Sequence, residues 1–219
     1  MTGAEAALAE ADFASLARGR LRSEPPGLEH ATARLRGDHD LDDRPLAATV
    51  PPKPAAVLVP VVMRDGAASV ILTERASDLR QHSGQIAFPG GKVDPEDAGP
   101  LDTALREAEE EIGLERRHVR PLGYLDPYLS GTNYLVVPAV ALVAPDARLS
   151  LNPFEVAAAF EVPLPFLMDP RNHELHAREL NGRIRQYYAM PFEDRYIWGL
   201  TAGIIRNMHE RLYGTGRGP

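Results

Sequence analysis

Residues 104–114 read ALREAEEEIGL, which places four glutamates within five positions of one predicted helix. Like charges three and four apart on a helix repel, so the arrangement costs stability unless something offsets it. Pro100 and Asp102 open this helix with favourable N-terminal chemistry, and Gly113 closes it. At about 100° per residue, Leu101, Ala104, Leu105, Ala108 and Ile112 form one stripe that must face a core. Glu107, Glu110 and Glu111 share a separate arc of about 100° beside that stripe, whereas Glu109 points elsewhere, to water.

An arbitrary run of glutamates is usually a solvated helix face. Three features set this one apart. Arg106 precedes the cluster and is spaced to reach Glu110 at the next turn. A tight FPGGK turn over 88–92 lies just upstream, and its glycines let backbone carbonyls approach a ligand. Three converging carboxylates and a backbone carbonyl also make an all-oxygen site suited to Mg²⁺ or Mn²⁺. Such a cation removes the repulsion and keeps the carboxylates ionised.

The chain has 219 residues, enough for one sizeable core. It is 44% hydrophobic and 25% charged, with a formal net charge of −7, which argues against a nonspecific nucleic-acid binder. It contains no cysteine, so disulfides and thiolate metal sites are excluded. No apolar run approaches the roughly 20 residues that span a bilayer. Glu5, Glu10 and Asp12 argue against a signal or transit sequence, so a cytoplasmic protein that does not enter a membrane is expected.

Residues 5–21 form a predicted amphipathic helix with Leu8, Phe13, Leu16 and Leu21 as its apolar members. A proline- and charge-rich lead-in follows, ending at Pro54; it is either a plain extension or an arm of a homodimer. AAVLVPVVM (55–63) and ASVILTER (68–75), joined by an Arg-Asp-Gly turn, read as a hairpin. Further strands are expected near 85–88, in VRPLGYLDPY and LVVPAVALVA around an LSGTN loop, and in EVAAAFEV before a short helix. Asn181-Gly182 marks a two-residue hairpin, and the segment 193–214 closes the chain as an amphipathic helix that takes Trp198 into the core. Strands interleaved with helices argue for an α/β fold around a mixed sheet. The expected division is an extension over 1–50, a domain over 51–214 and a tail over 215–219.

Gly91, Arg106-Glu107, Glu110-Glu111 and Gly113-Leu114 resemble the Nudix box of hydrolases that act on nucleoside diphosphates linked to another moiety. The half from Arg106 to Leu114 fits throughout, with a small Ala108 in the aliphatic slot. The first half is one residue longer than the general pattern, and its early acid is met by Glu96 or Asp97. ILTERASDLRQHSGQIAFPGG (71–91) is similar to the extended signature of coenzyme A pyrophosphatases, through Leu72, Thr73, Arg75, Arg80, Gly84 and Phe88 to Gly91. WGLTAGIIR near the C-terminus is similar to their last helix, and the resemblance runs over roughly residues 55–210.

The resemblance implies a Nudix α/β/α sandwich with a central mixed sheet. It also implies Mg²⁺- or Mn²⁺-dependent hydrolysis of coenzyme A to 3′,5′-ADP and 4′-phosphopantetheine. Glu107 and Glu111 are the first candidates for metal ligands, Glu110 the third, with the Gly91 carbonyl beside them. Arg106 is expected to orient a glutamate. The general base is one of the clustered glutamates Glu107, Glu110 and Glu111 or an acid outside the helix; Glu155 is a candidate metal-binding or water-activating carboxylate, or else a surface acid ahead of a strand. Arg75 and Arg80 are phosphate-binding candidates, because guanidinium forks match phosphate oxygens, although either can instead pair with an acid. His82 and Lys92 are further phosphate contacts or plain exposed residues. Tyr128 and Tyr134 are read as buried beside the sheet rather than stacked on a base. The alternatives are a Nudix hydrolase of another substrate, such as ADP-ribose, and a non-catalytic Nudix-like binding module.

Overall fold

The computed structural model describes residues 3–26, 35–41, 50–76, 84–180 and 182–214. In chain order they form α1 (Gly3–Arg20), β1 (Arg36–Gly37), β2 (Lys53–Arg64), β3 (Ala67–Arg75), β4 (Ile86–Ala87), β5 (Gly90–Lys92) and α2 (Pro100–Ile112). Then come β6 (Val119–Tyr124), β7 (Tyr128–Leu129), β8 (Tyr134–Val143), β9 (Val156–Pro163), α3 (Leu164–Leu167), β10 (Glu174–Leu180), β11 (Arg183–Phe192), β12 (Arg195–Trp198) and α4 (Leu200–Tyr213).

The long apolar strand β2 organises the larger sheet. It runs parallel to β8 from Lys53 opposite Tyr134 to Val62 opposite Val143, and antiparallel to β3 and β5. The β2–β3 turn needs positive φ at Asp65 (50°) and Gly66 (78°), the mirror-type turn whose twist suits a hairpin. β9 pairs antiparallel with β3, and β6 with β8, so the sheet is mixed. β10, β11 and β12 make a separate antiparallel sheet.

Alternate side chains of β2 enter two cores. Ala56, Leu58 and Val62 pack with Ala104, Ala108 and Ile112 of α2. Val59 and Val61 pack with Ile204, Ile205 and Met208 of α4 on the other side. Helices therefore cover both faces of a mixed sheet, which is an α/β/α sandwich. Among the described residues, no helix is long and apolar enough to cross a membrane.

Phe13, Ala14, Ala17 and Leu21 are buried in the α4-side core, so α1 shares the main hydrophobic cluster. Residues 36–41 also dock. β1 pairs in parallel with β7, and the buried Tyr128 donates its hydroxyl hydrogen to Asp38 at 2.7 Å. Tyr134 is half-buried with Lys53 Nζ 5.7 Å from its ring centre.

The closing segment differs from the single helix expected over 193–214. Arg195–Trp198 is a strand, and α4 begins only at Leu200. The tetrapeptide Arg-Tyr-Ile-Trp is rich in β-favouring side chains and finds a partner in β11, while Gly199, at φ 61°, breaks the path between strand and helix. Trp198 is accordingly a half-exposed residue of the smaller sheet, not a core residue of the last helix.

Because α1 contributes to the main core, Phe13→Ala should lower stability by about 3 kcal/mol. Urea unfolding monitored by circular dichroism tests this, and an unchanged midpoint would place α1 outside the cooperative fold.

Candidate active site

The start of α2 has no side-chain cap, and Pro100 occupies its first turn. Its end turns through Gly113 at φ 65°, where an added Cβ would press on Ser150 at 2.8 Å. The last carbonyls are met from outside: Ser150 N–H donates to Ile112 O and Asn152 N–H to Glu111 O. This docking fixes the loop that carries Glu155 against the helix.

The four glutamates separate by environment. Glu111 is 3% exposed, and the Gly90 N–H donates to its Oε2 at 3.1 Å. The Arg75 guanidinium stands 3.4 Å from its Oε1. The Glu107 side chain is mostly buried and receives a hydrogen bond from Arg106 at 3.0 Å. Glu110 is largely exposed and pairs with Arg106 at 3.2 Å, and Glu109 is exposed as well. Gly91 abuts Glu107, since a Cβ there would lie 2.4 Å from its Oε1.

Arg106 is the hub. Its Nε and one terminal nitrogen grip Asp97, both at 3.0 Å, and its other terminal nitrogen serves Glu107 and Glu110. It also donates to the Lys92 carbonyl at 3.1 Å, tying the loop after β5 to the helix. Of the two early acids weighed from the sequence, Asp97 makes the bond; Glu96 is exposed. Asp97 also accepts from the buried Thr103 hydroxyl at 2.8 Å. The Arg106 guanidinium, more than any other partner, holds the Asp97 carboxyl far below the usual range.

Burial pushes the other two acids the opposite way. Desolvation raises Glu111 to about 7 against the opposing pull of the Gly90 N–H and Arg75, and the Glu107 and Glu155 charges add to the rise. Burial also raises Glu107, opposed by Arg106. An almost fully buried carboxylate and a mostly buried one thus each carry a desolvation cost that their cationic partners only partly offset. Among the described residues, no three acidic or histidine side chains stand close enough together to hold a metal ion, so Glu110 does not converge with Glu107 and Glu111 as the helical arc implied. Mg²⁺ does not require three, because it is usually held by one or two carboxylates with waters and substrate phosphates. The carboxylates of Glu107 and Glu111 are oxygen donors of the kind that suits such an ion.

Glu155 is close enough for its charge to act on both acids. Asn152 Nδ2 donates to its Oε1 at 3.1 Å, and its own carbonyl accepts from Ala76 N–H at the end of β3. Lys92 is exposed and, among the described residues, makes no ion pair. Arg80 and His82 lie outside the described residues. The structure thus sets Gly91 against Glu107 and Arg75 against Glu111, joins Glu107 and Glu110 through Arg106, and leaves Glu155 near enough for its charge to act on Glu107 and Glu111. Sequence reasoning missed Asn152, whose signal was the Asn-Pro turn just ahead of Glu155, and the Gly90 N–H.

Against this geometry, a sequence model of the NUDIX domain matches residues 52–181. The Yersinia pestis (strain Pestoides F) protein named "Uncharacterized Nudix hydrolase NudL" is 44% identical over 161 residues, covering 72% of this chain and 79% of that protein. Its namesake from Yersinia pseudotuberculosis serotype O:3 (strain YPIII) gives the same values, 44% over 161 residues with 72% and 79% coverage. Of solved structures, the Nudix hydrolase RenU from M. smegmatis aligns with a TM-score of 0.45 at 26% identity, over 53% of this chain and 73% of that one. The NUDIX domain of Shewanella oneidensis NrtR, crystallised with ADP ribose, aligns with a TM-score of 0.48 at 16% identity, over 78% and 96%. The match over more than half of the chain, with the 44% identity, makes this chain a member of the Nudix family. It is a Nudix hydrolase, an enzyme of the pyrophosphohydrolase class.

Two outcomes follow from the packing of this site. Gly91→Ala should fold but lose about 100-fold in kcat, the scale expected when a catalytic group is displaced by about 1 Å; steady-state kinetics with a melting curve checks it. Asp97 has a depressed folded pKa, so its stabilisation is present above the unfolded value near 4 and fades as pH falls toward the folded one. Asp97→Asn should therefore melt below the wild type at neutral pH, and the gap should close under acid conditions.

Proposed function

We propose that this enzyme hydrolyses the diphosphate bond of coenzyme A or its derivatives, releasing 3′,5′-ADP and 4′-phosphopantetheine or its acylated form. The observation that carries the reading is Arg75. It belongs to the LTER start of the extended signature, its guanidinium lies 3.4 Å from Glu111, and its Nε is buried without an acceptor. A cation with unspent hydrogen-bonding capacity beside the acidic pair is what a diphosphate substrate requires.

Glu107 and Glu111 would hold the Mg²⁺ or Mn²⁺, with the Gly91 carbonyl completing the protein's share. When bound, the ion supplies charge neutralisation of the phosphate oxygens and lowers the pKa of a coordinated water. Arg106, fixed by Asp97, keeps the Glu107 carboxylate turned toward the glycine turn. Arg75 meets a phosphate oxygen, with Arg80, His82 and Lys92 as further contacts to the anionic substrate. Asn152 holds Oε1 of Glu155, which leaves Oε2 to take a proton from the attacking water. We assign the enzyme to the cytoplasm and its ligand to the small nucleoside diphosphate derivatives.

The test is product identification by chromatography after incubation with free, acylated and oxidised coenzyme A and with ADP-ribose, in Mg²⁺ or Mn²⁺. Formation of 3′,5′-ADP is expected. Turnover of ADP-ribose with none from coenzyme A would replace this reading with the other Nudix activity, and no turnover of any diphosphate would favour a binding module. Glu111→Gln should still bind substrate while kcat falls at least about 100-fold, as expected on loss of a metal-ligating group; unchanged turnover would remove Glu111 from the mechanism.

A further inference from the structure

The smaller sheet has two faces, set by the alternation of side chains along each strand. Met190 and Ile197 enter the α4-side core from one of them. The register puts His176, Arg178, Arg185, Tyr187, Tyr196 and Trp198 together on the other. Arg178 and Tyr196 are exposed there, and the remaining four are partly so. Much of this face, including Tyr187, Tyr196 and Trp198, lies beyond residue 181, where the NUDIX match ends.

Arg178 and Arg185 sit directly opposite each other across the β10–β11 ladder. Like charges in that position repel, as the glutamates of α2 do, and call for a compensating group. Among the described residues neither arginine has an acidic partner, and Glu174, the carboxylate on this face, is taken by His176 at 2.7 Å. The Nε of Arg185 is buried without an acceptor. The rings beside this pair touch one another. Arg178 lies 4.7 Å over the Trp198 ring and 5.8 Å from that of Tyr187, whose ring meets Trp198 edge-on at 5.4 Å. Tyr196 is tied to His176 Nδ1 by a 2.6 Å hydrogen bond.

An unneutralised arginine pair beside an aromatic cluster calls for a ligand that is both anionic and planar. The geometry points to a phosphorylated purine nucleoside bound on this face. Its base joins the stack formed by Trp198, Tyr187 and Arg178, and its phosphate meets the Arg178–Arg185 pair. Thr201, three residues after Trp198, ties the start of α4 to the strand ahead of the catalytic turn. The Thr201 hydroxyl donates to Ile86 O at 2.9 Å, on the β4 segment that leads into Gly90 and Gly91. Resting on the proposed activity for the identity of the ligand, the nucleoside is the 3′-phosphoadenosine end of the substrate.

Trp198 is the only tryptophan in the chain, so its fluorescence reports this face directly. Titration of the full chain with 3′,5′-ADP in excess chelator should give saturable quenching without any turnover. Adenosine and inorganic phosphate should each bind far more weakly. Arg178→Ala and Arg185→Ala should each weaken 3′,5′-ADP binding about tenfold, the scale of one lost hydrogen bond to a charged group, with unchanged circular dichroism. Should Arg185→Ala fail to fold, the exposed Arg178 and the wild-type titration decide alone. No saturable quenching at millimolar 3′,5′-ADP, equal quenching by adenosine, or quenching by an oligoadenylate but not the mononucleotide would each overturn the assignment. Because no catalysis enters the measurement, its failure is separable from failure of the proposed reaction: coenzyme A hydrolysis without quenching would leave the activity and remove the binding face.

Discussion

Arg106 joins parts of the chain that would otherwise repel or drift apart. Asp97 holds one side of its guanidinium, Glu107 and Glu110 share the other, and the Lys92 carbonyl takes a further hydrogen. The loop between β5 and α2 is thereby fastened to the helix it precedes. The glycine turn and Glu107 are held in contact so close that no side chain fits between them. A lysine could not reproduce this, because the arrangement uses the planar fork and several of its donors at once.

Glu111 lies one turn further into the protein and shows the opposite electrostatics. Its carboxylate is almost fully buried, with one backbone N–H and the Arg75 guanidinium at 3.4 Å as compensation. Asp97 and Glu111 therefore sit at opposite ends of the carboxylate range although both serve the same helix. One is locked to a cation permanently. The other is raised by burial in spite of its Gly90 and Arg75 partners.

Much of this could be read from the residues. The apolar stripe from Leu101 to Ile112, the Asp65-Gly66 turn and the β2–β3 hairpin follow from local periodicity and turn chemistry, and each recurs in the fold. The separation of Glu109 from Glu107 and Glu111 was legible because helical geometry fixes their angular positions. What escaped depended on distant partners. The strand character of Arg195–Trp198 comes from pairing with β11, which competes with the helical pattern that continues into α4. Asp97 could not be told from Glu96 until the fork of Arg106 showed which acid it reaches. Asn152 gains its place from the helix end it caps, a contact between segments that no local window contains. The docking of residues 36–41 likewise depends on Tyr128, far along the chain.

The pairing of β10 with β11 also constrains how this protein can change. Leu180 stands opposite Arg183, and Gly182 at φ 73° lies in the tight turn between them. Gaining or losing a single residue within either strand would invert its parity beyond that point, sending rings inward and Met190 out to water. Drift in side-chain identity is therefore tolerable along this hairpin, whereas drift in length is not. Homologous chains that keep the aromatic surface should differ here by substitution and almost never by indel.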